Sequence, residues 1–114
     1  MLNDSATLDR AFQALSDPVR RGILARLSRG PASVSELAMP LPISLPAVMQ
    51  HLKALEQSGL VRSEKKGRVR TVQLEPKALG AAEEWIVKRR TEWEAQLDRF
   101  EAHLATLKND GVTQ

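Results

Sequence analysis

Apolar residues between positions 44 and 58 fall at Val48, Leu52 and Leu55, the i, i+4, i+7 spacing of a helix with one buried side. Ser44 is placed to cap that helix, and Gly59 stands where a left-handed residue would stop it. The pattern then changes period. Val61 and Ser63 alternate with Leu60, Arg62 and Glu64, and Val69, Thr71 and Gln73 alternate with Arg70, Val72 and Leu74. Two short strands follow from this, with the turn expected at Lys66-Gly67.

Upstream, Leu8, Phe12 and Leu15 sit at helical spacing in a first helix expected over Ala6 to Leu15, which Ser16-Asp17-Pro18 interrupts. A second helix starts there, with Val19, Ile23, Leu24 and Leu27 on its buried side, and ends at Gly30-Pro31. Ser33 and Glu36 have the spacing of a capping box, so a short third helix is expected from about residue 34, before the turn bracketed by Pro40 and Pro42. Downstream, Leu79, Ile86, Trp93, Phe100 and Leu107 recur every seven residues, joined by Leu97 and Leu104 at the intermediate positions. Glu83 and Arg90 occupy the earlier intermediate positions, so the stripe is incomplete at its start. A stripe of this length calls for a partner: the first helix, through Phe12 and Leu15, and the same helix of a second subunit, with Trp85 and Trp93 as the largest anchors.

The expected fold is therefore mainly α with a small β-hairpin, a winged helix-turn-helix with N- and C-terminal dimerisation helices. One domain over 1–114 accounts for the chain, with the helix-turn-helix at about 33–58, the wing at about 60–74 and the C-terminal dimerisation helix at about 77–107.

On the side of the fourth helix opposite its apolar stripe lie Pro46, Gln50, Lys53, Ala54 and Gln57, with Ala47 and Met49 on the flanks. Such a small, polar and almost uncharged face suits a DNA major groove, where an amide such as Gln50 can pair with an adenine edge. Charge supports the same reading. Residues 44 to 74 carry six Lys or Arg against two acids, whereas from 75 onward there are six against eight. Lys65, Lys66, Arg68 and Arg70 crowd the hairpin tip, as phosphate binding requires. The net charge of the 114 residues is only +3, so the clustering carries the argument.

The 42% apolar content suits a modest core, no apolar run reaches the roughly 20 residues needed to span a bilayer, and the N-terminus lacks the basic-then-apolar pattern of an export signal. A cytoplasmic location and no membrane partner are expected. With no cysteine, disulfides and thiolate chemistry are excluded. No phosphate-loop glycines and no G-x-S-x-G occur, and the two histidines stand on different helices without a nucleophile, so an enzyme is not expected.

The run ALSDPVRRGILARL (Ala14 to Leu27), SELA (Ser35 to Ala38) and SLPAVMQHLKALEQSGLV (Ser44 to Val61) resembles the ArsR family of small bacterial transcriptional repressors, over roughly residues 8 to 75. The resemblance implies a winged-helix homodimer on a double-stranded DNA operator, its fourth helix in the major groove and its wing near the flanking backbone. By position, Ser44, Pro46, Ala47, Gln50 and Lys53 match the family's groove-facing residues. Met49 stands where a serine is common, and a methionine there can meet a thymine methyl. Many members sense metals, but the cysteines of the third-helix site are absent from SELAMPLPIS, and His103 has no second histidine within one turn. Neither a regulatory metal nor a cofactor is expected. His51, at the border of the buried stripe, reads as a packing or hydrogen-bonding residue.

Together these features predict a homodimeric repressor on an inverted-repeat operator, with Phe12, Leu79, Ile86, Trp93, Leu97, Phe100, Leu104 and Leu107 at the dimer interface. Nothing in the sequence identifies a small-molecule or protein effector. Two alternatives share the same features: a winged-helix protein-docking module, and a double-stranded RNA binder whose basic wing follows the backbone.

Overall fold

A computed structural model describes residues 2–112, and side chains from Ser5 to Asn109; positions 1, 113 and 114 of the expected domain lie outside the described residues. The elements run α1 (Leu2–Leu15), α2 (Pro18–Leu27), β1 (Ala32–Ser33), α3 (Val34–Ala38), α4 (Leu45–Gln57), β2 (Val61–Lys66), β3 (Val69–Leu74) and α5 (Pro76–Val112). Two compact units result, one up to Ala82 and one from Glu83 onward, so α5 contributes its first two turns to the first unit. No helix among the described residues is long and apolar enough to cross a membrane.

Local chemistry accounts for the starts of α2, α3 and α4 and for the end of α4. Asp17 caps α2, its carboxylate accepting from the backbone N–H of Arg20 at 3.0 Å, with Pro18 opening the helix. Ser33 and Glu36 form the expected capping box: the Ser33 hydroxyl accepts from the Glu36 N–H, and the Ser33 N–H donates to Glu36 Oε1, both at 3.1 Å. Ser44 caps α4 by accepting from the Ala47 N–H at 3.3 Å. Gly59, at φ +77, ends α4 in the left-handed region, and a Cβ built on it would lie 3.6 Å from the Ala78 Cβ.

Within this unit α1, α2, α3 and α4 enclose a core with the sheet, built from Ile23, Leu27, Leu37, Val48, Leu52, Leu55, Leu60 and Val72. Leu55, Leu60, Val48 and Val72 are its largest fully buried side chains. The start of α5 closes the core with two small residues one turn apart, Ala78 and Ala82.

Helix α1 begins at Leu2 and not Ala6, α5 runs on to Val112 and not about 107, and two details of the sheet also differ from expectation. The sheet has three strands in the order β1-β3-β2, all antiparallel, because Ala32 and Ser33 pair with Val72 and Thr71. A two-residue strand has no alternation to reveal it and exists only through its partner. The hairpin turn is Gly67-Arg68, one residue later than expected, since Lys66 pairs with Val69. That register puts Val61, Ser63 and Val72 on one face, and Gly67 at φ +63 supplies the positive φ a two-residue turn needs.

The second unit is the rest of α5. Every residue from Glu83 to Asn109 is exposed, including Ile86, Trp93, Leu97, Phe100, Leu104 and Leu107. Arg89 and Arg90 pair with Glu92 and Glu94 along the helix at 3.4 and 3.6 Å, and the Arg89 guanidinium lies 5.0 Å from the centre of the Trp85 ring.

Candidate nucleic-acid interface

Burial of Val48, Leu52 and Leu55 fixes the rotation of α4, so Pro46, Met49, Gln50, Lys53 and Gln57 are exposed and Ala47 is half-buried. Ser44 is also exposed, but one lone pair of its hydroxyl is already committed to the cap. Met49 is 41% exposed, and Leu45, one turn before it, 56%. The face formed by these residues therefore offers amide, methylene and methyl groups with a single ammonium, the exposed Glu56 carboxylate lying at its C-terminal end, a composition able to approach base edges closely.

His51 sits at the edge of this face and ties α4 to α2. Its Nδ1 accepts from Arg20 Nε at 3.2 Å and lies 3.8 Å from Asp17 Oδ2. The Arg20 bond requires a bare Nδ1, so the approach to Asp17 becomes an ion pair only when the ring is protonated. The Arg20 backbone N–H holds the Asp17 carboxyl below the usual carboxylate range, outweighing desolvation, with smaller help from the Arg20 guanidinium. Glu36 is lowered too, first by the Ser33 backbone N–H and then by the Ser33 hydroxyl, with Arg26 nearby at 3.7 Å. Among the described residues no three His, Cys, Asp or Glu side chains gather as a metal site would require.

The wing cations divide into two kinds. Lys65, Lys66 and Arg68 are exposed at the tip and have no hydrogen-bond or ion-pair partner among the described residues. Arg70 is engaged: its guanidinium donates to Ser63 Oγ at 3.0 Å, and the Ser63 hydroxyl donates to Glu56 Oε1 on α4 at 2.9 Å. Charge counting had grouped all four. Arg62 is likewise occupied, by its cross-strand neighbour Gln73 and by Glu75 at 3.9 Å. Of the residues expected at a dimer interface, Phe12 is half-buried and Leu79 packs partly against the core of the first unit, while the other six are exposed.

Comparison with known proteins places this geometry. A helix-turn-helix domain model matches residues 15–64. The chain is 52% identical over 73 residues to the HTH-type transcriptional regulator Rv2034 of Mycobacterium tuberculosis, covering 64% of this chain and 68% of that protein. It is similar to a crystal structure of an ArsR family transcriptional regulator at 49% identity and a TM-score of 0.76, over 79% of this chain and 93% of the other. The chain belongs to the ArsR family of transcriptional regulators. An ArsR-like transcriptional regulator from a Rhodococcus species aligns at 36% identity and a TM-score of 0.72, over 84% and 91% of the two chains. The transcriptional repressor SdpR of Bacillus subtilis is 30% identical over 80 residues, 70% of this chain and 89% of that protein. Membership in this ArsR family makes the chain a winged helix-turn-helix DNA-binding regulator and not an enzyme.

Proposed function

We propose that this ArsR-family chain is a bacterial cytoplasmic repressor that binds an inverted-repeat DNA operator as a homodimer. In this reading α4 enters the major groove through Ser44, Pro46, Ala47, Met49, Gln50 and Lys53, and the wing tip meets the flanking backbone through Lys65, Lys66 and Arg68. Phe12, Leu79 and the exposed stripe of α5 join the two subunits, setting two recognition helices about one helical turn of DNA apart, roughly 34 Å. The observation that carries the reading is the pairing of an exposed, nearly uncharged face on α4 with three unpartnered cations at the hairpin tip. Base edges reward the first and phosphates the second. The repressor name of the Bacillus relative supports the direction of regulation.

Selecting an operator from a random duplex library and measuring Gln50→Ala on it tests the proposal. The variant loses about 1–3 kcal/mol on the selected site and little on random DNA, because in this reading the Gln50 amide pairs with a base edge and carries no charge. Equal losses on both would make Gln50 a scaffold residue. Failure to select any inverted repeat, or tighter binding to double-stranded RNA, would overturn the operator reading.

A further inference from the structure

Beside α4 the hairpin leaves a cleft of about 350 Å³, walled by Met49 and Leu52 on the helix and by Val61 and Val72 on the sheet. Its floor is core, with Leu52, Val61 and Val72 buried, and it is only beyond them, toward the tip, that the hairpin stands off the helix. One polar chain spans the gap: Arg70 to Ser63 at 3.0 Å, and Ser63 to Glu56 at 2.9 Å. Among the described residues it is the only side-chain hydrogen bonding that joins α4 to the hairpin.

The register explains why these residues meet. Ser63 faces Val72 across the β2-β3 pair, and Arg70, two residues before Val72, shares that inner face as the diagonal neighbour of Ser63. Glu56 follows Leu55, so the last turn of α4 delivers a carboxylate beside the buried stripe to the same point. The polarity of the chain admits only one arrangement. A carboxylate only accepts and a guanidinium only donates, so the serine hydroxyl must give its proton to Glu56 and a lone pair to Arg70. Both of its bonds are to charged groups, which makes them stronger than neutral ones.

We propose that Glu56, Ser63 and Arg70 form a strut that sets the wing's position against the recognition helix, and that Arg70 is a positioning residue and not a phosphate contact. This rests on the reading of α4 and the wing tip as the DNA-binding surface. The strut fixes the offset between groove and backbone contacts, so that the free tip cations meet phosphates only when α4 is in register with its bases. It therefore acts on the operator complex and not on general attraction to DNA.

The test compares the full-length protein with Ser63→Ala, Ser63→Thr, Arg70→Ala, the double variant Ser63→Ala/Arg70→Ala and the tip variant Lys65→Ala/Lys66→Ala/Arg68→Ala. Each is measured on the selected operator and on random duplex across a salt series. Loss of the strut lowers operator affinity about tenfold, the scale of one hydrogen bond to a charged group, and leaves random-DNA affinity and the salt slope unchanged. The double variant is no worse than either single one, Ser63→Thr restores binding by keeping the hydroxyl, and thermal melts stay close to the parent's. The tip variant instead flattens the slope by about 0.9 per lost contact on both DNAs. Three results would overturn the strut: Arg70→Ala flattening the slope as a tip cation does, Ser63→Ala binding like the parent, or the two losses adding independently. If the tip variant and Gln50→Ala leave binding untouched, the DNA-binding surface itself is misplaced and the strut's role falls with it.

Discussion

The two units of this chain each carry an apolar helical stripe and treat it in opposite ways. In the first, Val48, Leu52 and Leu55 of α4 disappear into a core shared with α1, α2, α3 and the sheet, and Leu55 is 0% exposed. In the second, Trp93 is 64% and Phe100 57% exposed on the same helical spacing. The difference lies in what each helix can bury against. Every surface helix can cover one stripe, and α5 uses its first turns for the small pair Ala78 and Ala82, leaving its large residues beyond Glu83 on the surface. A line of large apolar residues in water costs free energy that only another surface can recover. The first stripe thus speaks of folding and the second, in the proposed function, of association, although both recur at helical spacing.

The sharpest way to break this contrast is a charge in the exposed stripe. Phe100→Glu removes about 2 kcal/mol of apolar burial per subunit and adds the desolvation of a carboxylate, several kcal/mol in all, to the cost of pairing. Sedimentation should then report a monomer whose own thermal unfolding no longer varies with protein concentration, and preference for an inverted repeat should be lost with the dimer. A folded dimer with intact operator binding would assign the stripe to something other than association.

Leu55→Ala tests the opposite side. Truncation of a fully buried leucine should cost about 3 kcal/mol, within the 2–5 kcal/mol range for such cavities, and should do so at every protein concentration. Chemical denaturation checks it. A loss that shrinks on raising the concentration would mean that Leu55 serves assembly and not the core.

The smallest effect concerns acid. Asp17 and Glu36 both have pKa values lowered in the folded chain, so each contributes stability that is fully present above its unfolded pKa and is lost as pH falls through the folded value. The first unit should therefore soften below the ordinary carboxylate range as the caps of α2 and α3 are protonated. Asp17→Asn, which keeps a capping oxygen without the titration, should flatten that part of the profile followed by circular dichroism.

Much of the first unit was legible in the residues because its signals are local and redundant. The cap at Ser44, the stop at Gly59 and the box at Ser33 and Glu36 each act within one helical turn, and the structure has them all. What stayed hidden depends on partners distant in sequence. β1 is two residues made into a strand by β3, and the turn lies at Gly67-Arg68 because inward-facing side chains, not the basic residues around it, decide the register. The hydrogen bond of Arg70 escaped for the same reason. A count of charges cannot separate a cation bonded to Ser63 from three without a partner among the described residues. In α5 the large heptad residues drew attention from Ala78 and Ala82, whose one-turn spacing was the available sign of which face meets the core.

The tight turn at Gly67-Arg68 makes the hairpin a ruler with coarse graduations. Lengthening each strand by one residue would carry the tip about 3.4 Å farther out, but would also turn every side chain beyond the insertion to the opposite face. Only additions of two residues per strand, about 6.8 Å, preserve which cations point where. The reach of this hairpin is therefore graduated: regular extension that keeps each cation on its own face comes only in steps of two residues per strand.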